Sequence, residues 1–193
     1  MASGKIWNGR ATGLPSALAI GIGILFRRLS DLVVTLGWRG NLGALGRGSR
    51  IQSGVRIRFP GNVEIGSRSS VARGTLFMTE MSDGFCRIGS DVIISTDVQI
   101  DFSGGLEIGD NVVVSERAAL FTHAHGLDPK SVPDKAPLMI EPDVWIGASV
   151  IAIEGVGRIG RGSVIASGTV LTKEVPPRSL VAGVPGRVIR SLA

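Results

Sequence analysis

The chain repeats itself every six residues, and that period limits its fold more than anything else in its 193 residues. An apolar residue recurs at Ile65, Val71 and Phe77, at Ile88, Ile94 and Ile100, and at Ile108, Val114 and Leu120. It recurs again at Ile146, and then at Ile159, Ile165 and Leu171. Five of these sites are followed by glycine, at Gly66, Gly89, Gly109, Gly147 and Gly160. A step of six fits neither the ~3.6-residue turn of a helix nor the two-residue alternation of an isolated strand. It predicts an all-β chain wound as a parallel β-helix, in which three hexads close a roughly triangular coil. No coil can bury its own core, so stability has to come from stacking each coil on the next.

Breaks in the period mark what is pushed out of the coil. The step from Phe77 to Ile88 is eleven, which predicts a bulge near residues 80–85. The step from Ile100 to Ile108 is eight, and one extra residue falls near Gly157 and Arg158. The largest break lies between Leu120 and Ile146, where a polar segment carries Pro129, Pro133, Pro137 and Pro142. It reads as one projecting loop over residues 122–142, and long loops in compact domains are usually functional or disordered.

One domain is the default at this length. The division expected is an N-terminal segment over 1–49, the β-helix over 50–176 and a tail over 177–193. Residues 1–49 hold six basic side chains (Lys5, Arg10, Arg27, Arg28, Arg39 and Arg47) and one acid, Asp31, and so account for the net charge of +5. The remainder is balanced. Within that segment, residues 14–26 are uncharged, Arg27-Arg28 interrupt, and residues 29–38 are again largely apolar. A spanning helix needs about 20 apolar residues without charges. The segment therefore predicts a helix or helix pair. It either covers the open edge of the first coil or a neighbouring subunit, or rests through residues 14–38 on an anionic membrane surface. No typical cleavage site follows it, so the expected location is cytoplasmic, at most on the inner face of a membrane. The basic residues lack interleaved aromatics, which argues against a nucleic-acid partner. Cys86 is the single cysteine, so no intramolecular disulfide forms, and it reads as structural.

Chemistry concentrates at the start of the long loop. His123 and His125 are the only histidines in the chain. One residue apart on extended backbone, they share a face and can line one cleft. Imidazole is the usual general base at neutral pH. A metal is the rival use, with Asp101, Asp110 or Asp128 as a third ligand, but nothing in the spacing demands one and no metal is required. Asp97, Gln99 and Asp101 alternate one coil earlier and are candidates for holding substrate hydroxyls. At the C-terminus, Lys173, Arg187 and Arg190 could hold phosphates.

Residues Val144-Trp145-Ile146-Gly147, the hexads to Leu171, and the closing runs Thr172-Lys173-Glu174-Val175-Pro176-Pro177 and Ala182-Gly183-Val184-Pro185-Gly186-Arg187-Val188-Ile189-Arg190 resemble the hexapeptide-repeat acyltransferases. The nearest subgroup is the galactoside, maltose and nodulation-factor O-acetyltransferases with their capsule and exopolysaccharide relatives. The resemblance covers residues 50–193. It implies a left-handed parallel β-helix, a homotrimer, and acetyl-CoA as co-substrate in a cleft between two subunits. The maltose-enzyme pattern His-Pro-Ile-Asp-Pro matches His125-Gly126-Leu127-Asp128-Pro129, so the resemblance makes His125 the first choice of base and His123 the second. It places Trp145 beside the pantetheine arm and the Ala148 amide at the thioester carbonyl. It assigns further CoA contacts to Ser167, Gly168, Thr172, Lys173, Arg187 and Arg190. The family's acceptor-binding Asn falls near Asp97, a departure that bears on the acceptor. The activity implied is O-acetylation of a sugar hydroxyl in surface polysaccharide or glycolipid synthesis. The alternative is N-acetylation of a nucleotide-linked amino sugar.

Overall fold

A computed structural model describes residues 14–193, with side-chain burial from residue 18. The start of the basic N-terminal segment, with Lys5 and Arg10, lies outside the described residues. From Ala44 onward the chain winds into a parallel β-solenoid of about seven turns. Its three faces are called here sheets A, B and C. Sheet A stacks Ala44–Leu45, Val63–Ile65, Cys86–Ile88, Leu106–Ile108, Leu138–Ile140 and Arg158–Ile159. Sheet B stacks Arg50–Ile51, Ser70–Val71, Ile93–Ile94, Val113–Val114, Trp145–Ile146, Val164–Ile165 and Ser179–Ala182, and the strand Arg187–Ser191 folds back antiparallel on its end. Sheet C stacks Arg56–Ile57, Leu76–Met78, Gln99–Asp101, Ala119–Leu120, Ile151–Ala152 and Val170–Leu171.

The register follows the hexads. Ile88 lies under Ile108, Ile94 under Val114, and Ile100 under Leu120. Every apolar residue of the predicted ladder is buried. A second inward position, two residues earlier, also joins the core: Val92, Val98, Val112, Ala118, Val144 and Val150 are buried as completely. The Ile-Gly pairs mark corners where one coil's backbone crosses another too closely for a side chain. A Cβ on Gly66 would stand 2.6 Å from the Gly89 carbonyl carbon. Burial also settles Cys86, whose thiol is pushed well above its usual pKa and is no nucleophile.

The ladder resumes earlier than the sequence predicts. Leu138–Ile140 pairs with Leu106–Ile108, so the return to the coil is at Ile140, one hexad before Ile146. At the other end, the N-terminal segment forms a single helix, α1, over Leu14–Arg39. Its C-terminal half covers the open edge of the first coil. The Thr35 hydroxyl accepts from the Ile51 amide at 3.0 Å, and its proton lies between the carbonyls of Asp31 at 2.6 Å and Ile51 at 3.1 Å. Asp31 accepts from the Ser53 amide at 3.1 Å, and Trp38 packs on the core. Unpaired groups of an edge strand are thereby satisfied. Farther along the helix, Leu18, Phe26, Leu29 and Val33 remain exposed. No helix among the described residues is long and apolar enough to cross a membrane.

The inward register yields a paired test. Ile94 is buried and its neighbour Ile93 is 48% exposed on the outer face. Ile94→Ala is expected to cost about 2–5 kcal/mol in chemical denaturation, and Ile93→Ala less than about 1 kcal/mol. Equal losses would contradict the register.

Candidate active site

The edge where sheet C passes to sheet A takes every large departure from the six-residue step. The bulge after Met78, the turn after Asp101 and the long loop after Leu120 all leave the coil at this edge, one above another. The long loop is a hairpin, with His123–Ala124 antiparallel to Asp134–Lys135. It is tied to the coil by the Ala136 amide on the Thr122 carbonyl at 2.8 Å and the Leu138 amide on the Gly105 carbonyl at 3.1 Å. Lys135 meets Asp83 of the bulge at 2.6 Å, and this exposed ion pair holds the Asp83 carboxyl below its usual pKa. Exposed pairs of this kind stabilise little, so this one registers the loop more than it strengthens the fold.

His123 and His125 share one face of the hairpin strand, with ring centroids 5.2 Å apart and planes nearly perpendicular. Each is held by its Nδ1. His123 Nδ1 lies 2.9 Å from Asp101 Oδ2, and His125 Nδ1 lies 2.9 Å from the Ser131 carbonyl. A carbonyl and an ionised carboxylate only accept hydrogen bonds, so both Nδ1 atoms carry a proton, and in the neutral imidazole Nε2 is then the atom with the lone pair. Those lone pairs converge on Glu80, which the sequence reading did not single out. His125 Nε2 is 3.2 Å from Glu80 Oε2, and His123 Nε2 is 3.7 Å from Glu80 Oε1.

Asp101 anchors this arrangement from below. Its side chain is almost fully buried. The Ser103 hydroxyl donates to it at 2.6 Å, the Thr122 amide at 2.7 Å and the Thr122 hydroxyl at 2.8 Å, in addition to His123. Burial favours the neutral acid, but the hydrogen bonds from Ser103, His123 and Thr122 outweigh it and hold the carboxyl below the usual range. The neighbouring turn fits only because residue 104 is glycine, since a Cβ there would sit 1.9 Å from the Thr122 carbonyl oxygen. Asp97 is not part of this cluster. It occupies a corner between sheets B and C with a positive φ of 59°, is exposed, and donates its amide to the Arg73 carbonyl at 3.1 Å.

The residues assigned to CoA by resemblance lie elsewhere on the coil. Trp145 stands half exposed on sheet B, with its indole nitrogen donating to the Ser115 hydroxyl at 3.1 Å. Ala148, Ser167 and Gly168 stack at the edge between sheets B and C, where the Gly168 amide reaches the Ala148 carbonyl at 2.8 Å. Among the described residues the Ala148 amide itself donates to no acceptor. Thr172 and Lys173 follow the last strand of sheet C, and Arg187 and Arg190 are exposed on the returning strand. The histidines and the Trp145–Ala148 edge are thus on different corners of the triangle. Two shallow clefts, of 240 and 350 Å³, lie on the sheet A side, and neither is lined by His123, His125, Trp145 or Ala148.

The depressed pKa of Asp101 gives the fold an acid limit. The unfolded carboxyl, near ~3.9, takes up its proton before the folded one does, so stability falls as pH drops through that value toward the lower folded pKa. Above ~3.9 the contribution is complete. Denaturation midpoints measured from pH 7 down to pH 3 are expected to fall more steeply for the wild type than for Asp101→Asn. Parallel curves would contradict the anchoring role.

Comparison with known proteins sets the solenoid among relatives. No protein-family model matches the chain. A candidate acetyltransferase of Schizosaccharomyces pombe is 41% identical over 91 residues, covering 45% of this chain and 44% of that protein. The 2,3,4,5-tetrahydropyridine-2,6-dicarboxylate N-acetyltransferase of Staphylococcus aureus is 42% identical over 82 residues, covering 42% of this chain and 31% of the enzyme. The chain spans less than half the length of these curated relatives. Among solved structures, a hexapeptide-repeat-containing acetyltransferase of Vibrio cholerae, complexed with acetyl coenzyme A, is 28% identical with a TM-score of 0.60, covering 96% of this chain and 92% of that one. The N-acyltransferase AntD of Bacillus cereus, crystallised with dTDP and 3-hydroxybutyryl-CoA, superposes with a TM-score of 0.71 over 80% of this chain and 86% of that one. At 18% identity that likeness concerns the fold alone. Period, coil and these relatives together describe a hexapeptide-repeat β-solenoid that is similar to known acetyltransferases.

Proposed function

We propose that the chain transfers an acetyl group from acetyl-CoA to a sugar hydroxyl, in the synthesis of a surface polysaccharide or glycolipid. The observation that carries the reading is the pair of imidazoles at the root of the loop, each held through its Nδ1 so that Nε2 is left for a substrate. His125 is the base. It is the more open of the two, 24% exposed against 13% for His123, and it coincides with the motif histidine of the resemblance. Its Nε2 takes the proton of the sugar hydroxyl while that oxygen attacks the thioester carbonyl. Glu80, 3.2 Å from that nitrogen, stabilises the imidazolium formed. The free Ala148 amide meets the oxyanion. The tetrahedral intermediate then collapses, breaking the C–S bond, and the departing CoA sulfur recovers the proton from the imidazolium. No covalent enzyme intermediate is required, because the thioester arrives activated and the protein has only to orient two substrates.

Trp145, Ser167, Gly168, Thr172 and Lys173 would line the CoA arm, and Arg187 and Arg190 would meet its phosphates. Because these groups occupy a different corner from the histidines, one copy does not complete the site. A neighbouring copy presenting its B–C edge to this chain's C–A edge would supply them. Such a contact joins two unlike edges and forms a ring where its rotation closes, the arrangement the expected homotrimer would need. The buried, fully bonded Asp101 is a positioning residue for His123 rather than a group that holds substrate. Asp97 is left as a candidate acceptor contact. A second reading, transfer to the amine of a nucleotide-linked sugar, draws on the N-acyl transfer named for the Staphylococcus aureus relative and for AntD.

His125→Ala is expected to lower acetyl transfer by about 10²–10⁴ while leaving CoA affinity and assembly unchanged, measured with labelled acetyl-CoA against a panel of neutral glycans and nucleotide-linked amino sugars. A larger loss in His123→Ala would move the base to the imidazole held by Asp101. Wild-type turnover in both variants would reject the mechanism, and labelling of the amino sugars alone would select the second reading.

A further inference from the structure

We infer that Glu80, His123 and His125 form a binding site for a divalent transition-metal ion of the zinc type, whose occupant takes the His125 nitrogen that the proposed base would use. The three ligand atoms lie within 4.8 Å of one another. Both Nδ1 protons are committed, one to Asp101 and one to the Ser131 carbonyl. The site therefore gathers two lone pairs and a carboxylate, all acceptors, around one point. The 3.2 Å contact between His125 and Glu80 is an ion pair only when the ring is protonated, and the 3.7 Å between His123 and Glu80 is too long for a hydrogen bond. A cation at the centre satisfies all three at once.

Geometry and donor set agree with such an ion. Zinc bound tetrahedrally at ~2.0–2.1 Å holds its ligand atoms ~3.3 Å apart; the 3.2 Å from His125 Nε2 to Glu80 Oε2 matches that spacing, and His123 Nε2 stands 3.7 Å from the other carboxylate oxygen. Glu80 is half exposed on its bulge, so its side chain can close the remaining distance. Two imidazoles and one carboxylate suit zinc, cobalt or nickel, whereas calcium and magnesium prefer oxygen alone. The outer contacts are those of a metal-binding histidine: a buried carboxylate behind one ring and a backbone carbonyl behind the other. Three protein ligands leave a fourth position open. The consequence rests on the acetyltransferase reading, since an ion on His125 Nε2 blocks that nitrogen from accepting a proton.

The test uses the full chain, stripped with a chelator and titrated with Zn²⁺ against a chromophoric competitor, and separately with Co²⁺ followed by visible absorption. One ion per chain is expected. Asp101→Asn, which touches no ligand position, is expected to weaken binding about 10–100-fold. Glu80→Gln is expected to weaken it at least tenfold, and the His123→Ala/His125→Ala double variant to abolish it, with unchanged circular dichroism in each. Acetyl transfer is expected to fall on adding one equivalent of Zn²⁺ and to return on chelation. Equal zinc uptake by wild type and double variant, or transfer indifferent to a bound ion, would overturn the inference. Intact transfer without metal binding would overturn it alone. The expected binding pattern in a protein that transfers no acetyl group would support the metal site and count against the acetyltransferase reading.

Discussion

A coil of fixed circumference admits only a set number of residues per side, and the rest of the structure follows from that limit. Each hexad sends its aliphatic residue onto the one below, as Val114 onto Ile94 and Leu120 onto Ile100. Full burial of such a side chain stabilises by roughly 1.5–3 kcal/mol, repeated at every level. Residues beyond the six cannot enter the stack and must leave at a corner. The bulge bearing Glu80, the turn after Asp101 and the hairpin bearing both histidines leave at the same corner, on successive levels. Chemistry is concentrated there because the stack forbids it inside.

A protruding loop alone would leave its histidines free to turn. The corner prevents this by burying a charge beneath them. Asp101 sits where solvent is excluded, and an unpartnered carboxylate there would be costly. Ser103, Thr122 and His123 satisfy it, so turning His123 away would expose a buried deficit. Gly104 lets the turn close over the carboxylate, and the Ala136 amide pins the far side of the hairpin. The rigidity of the imidazoles thus derives from the same stack that builds the core.

Much of the fold could be read from the sequence because one inward residue per hexad is a one-dimensional rule. The ladder from Ile65 to Leu171 needed no knowledge of contacts. Ile140 escaped because Leu138-Met139-Ile140 is a short apolar run between Pro137 and Pro142, and composition there resembles the loop. The second inward position, Val92 or Val112 for example, escaped because valine before an Ile or Val pair looks like simple strand alternation. At the site, the two histidines stood out by their place at the largest break. Glu80 did not, since the bulge was recognisable but the direction of its side chain depends on a coil two levels away. Asp101 was legible as a residue and not as a buried one. The turn that covers it, with Phe102 and Ser103 fully buried, is a property of the stacked coils.

The central claim is that both imidazoles are locked with Nδ1 protonated and Nε2 directed at Glu80. With two histidines in the chain, ¹H–¹⁵N correlation across the ring couplings resolves both directly. In metal-free protein, with the rings neutral, the account predicts the Nδ1–H tautomer for His123 and for His125. The Nε2–H tautomer at either ring, or rapid exchange between the two forms, would contradict it.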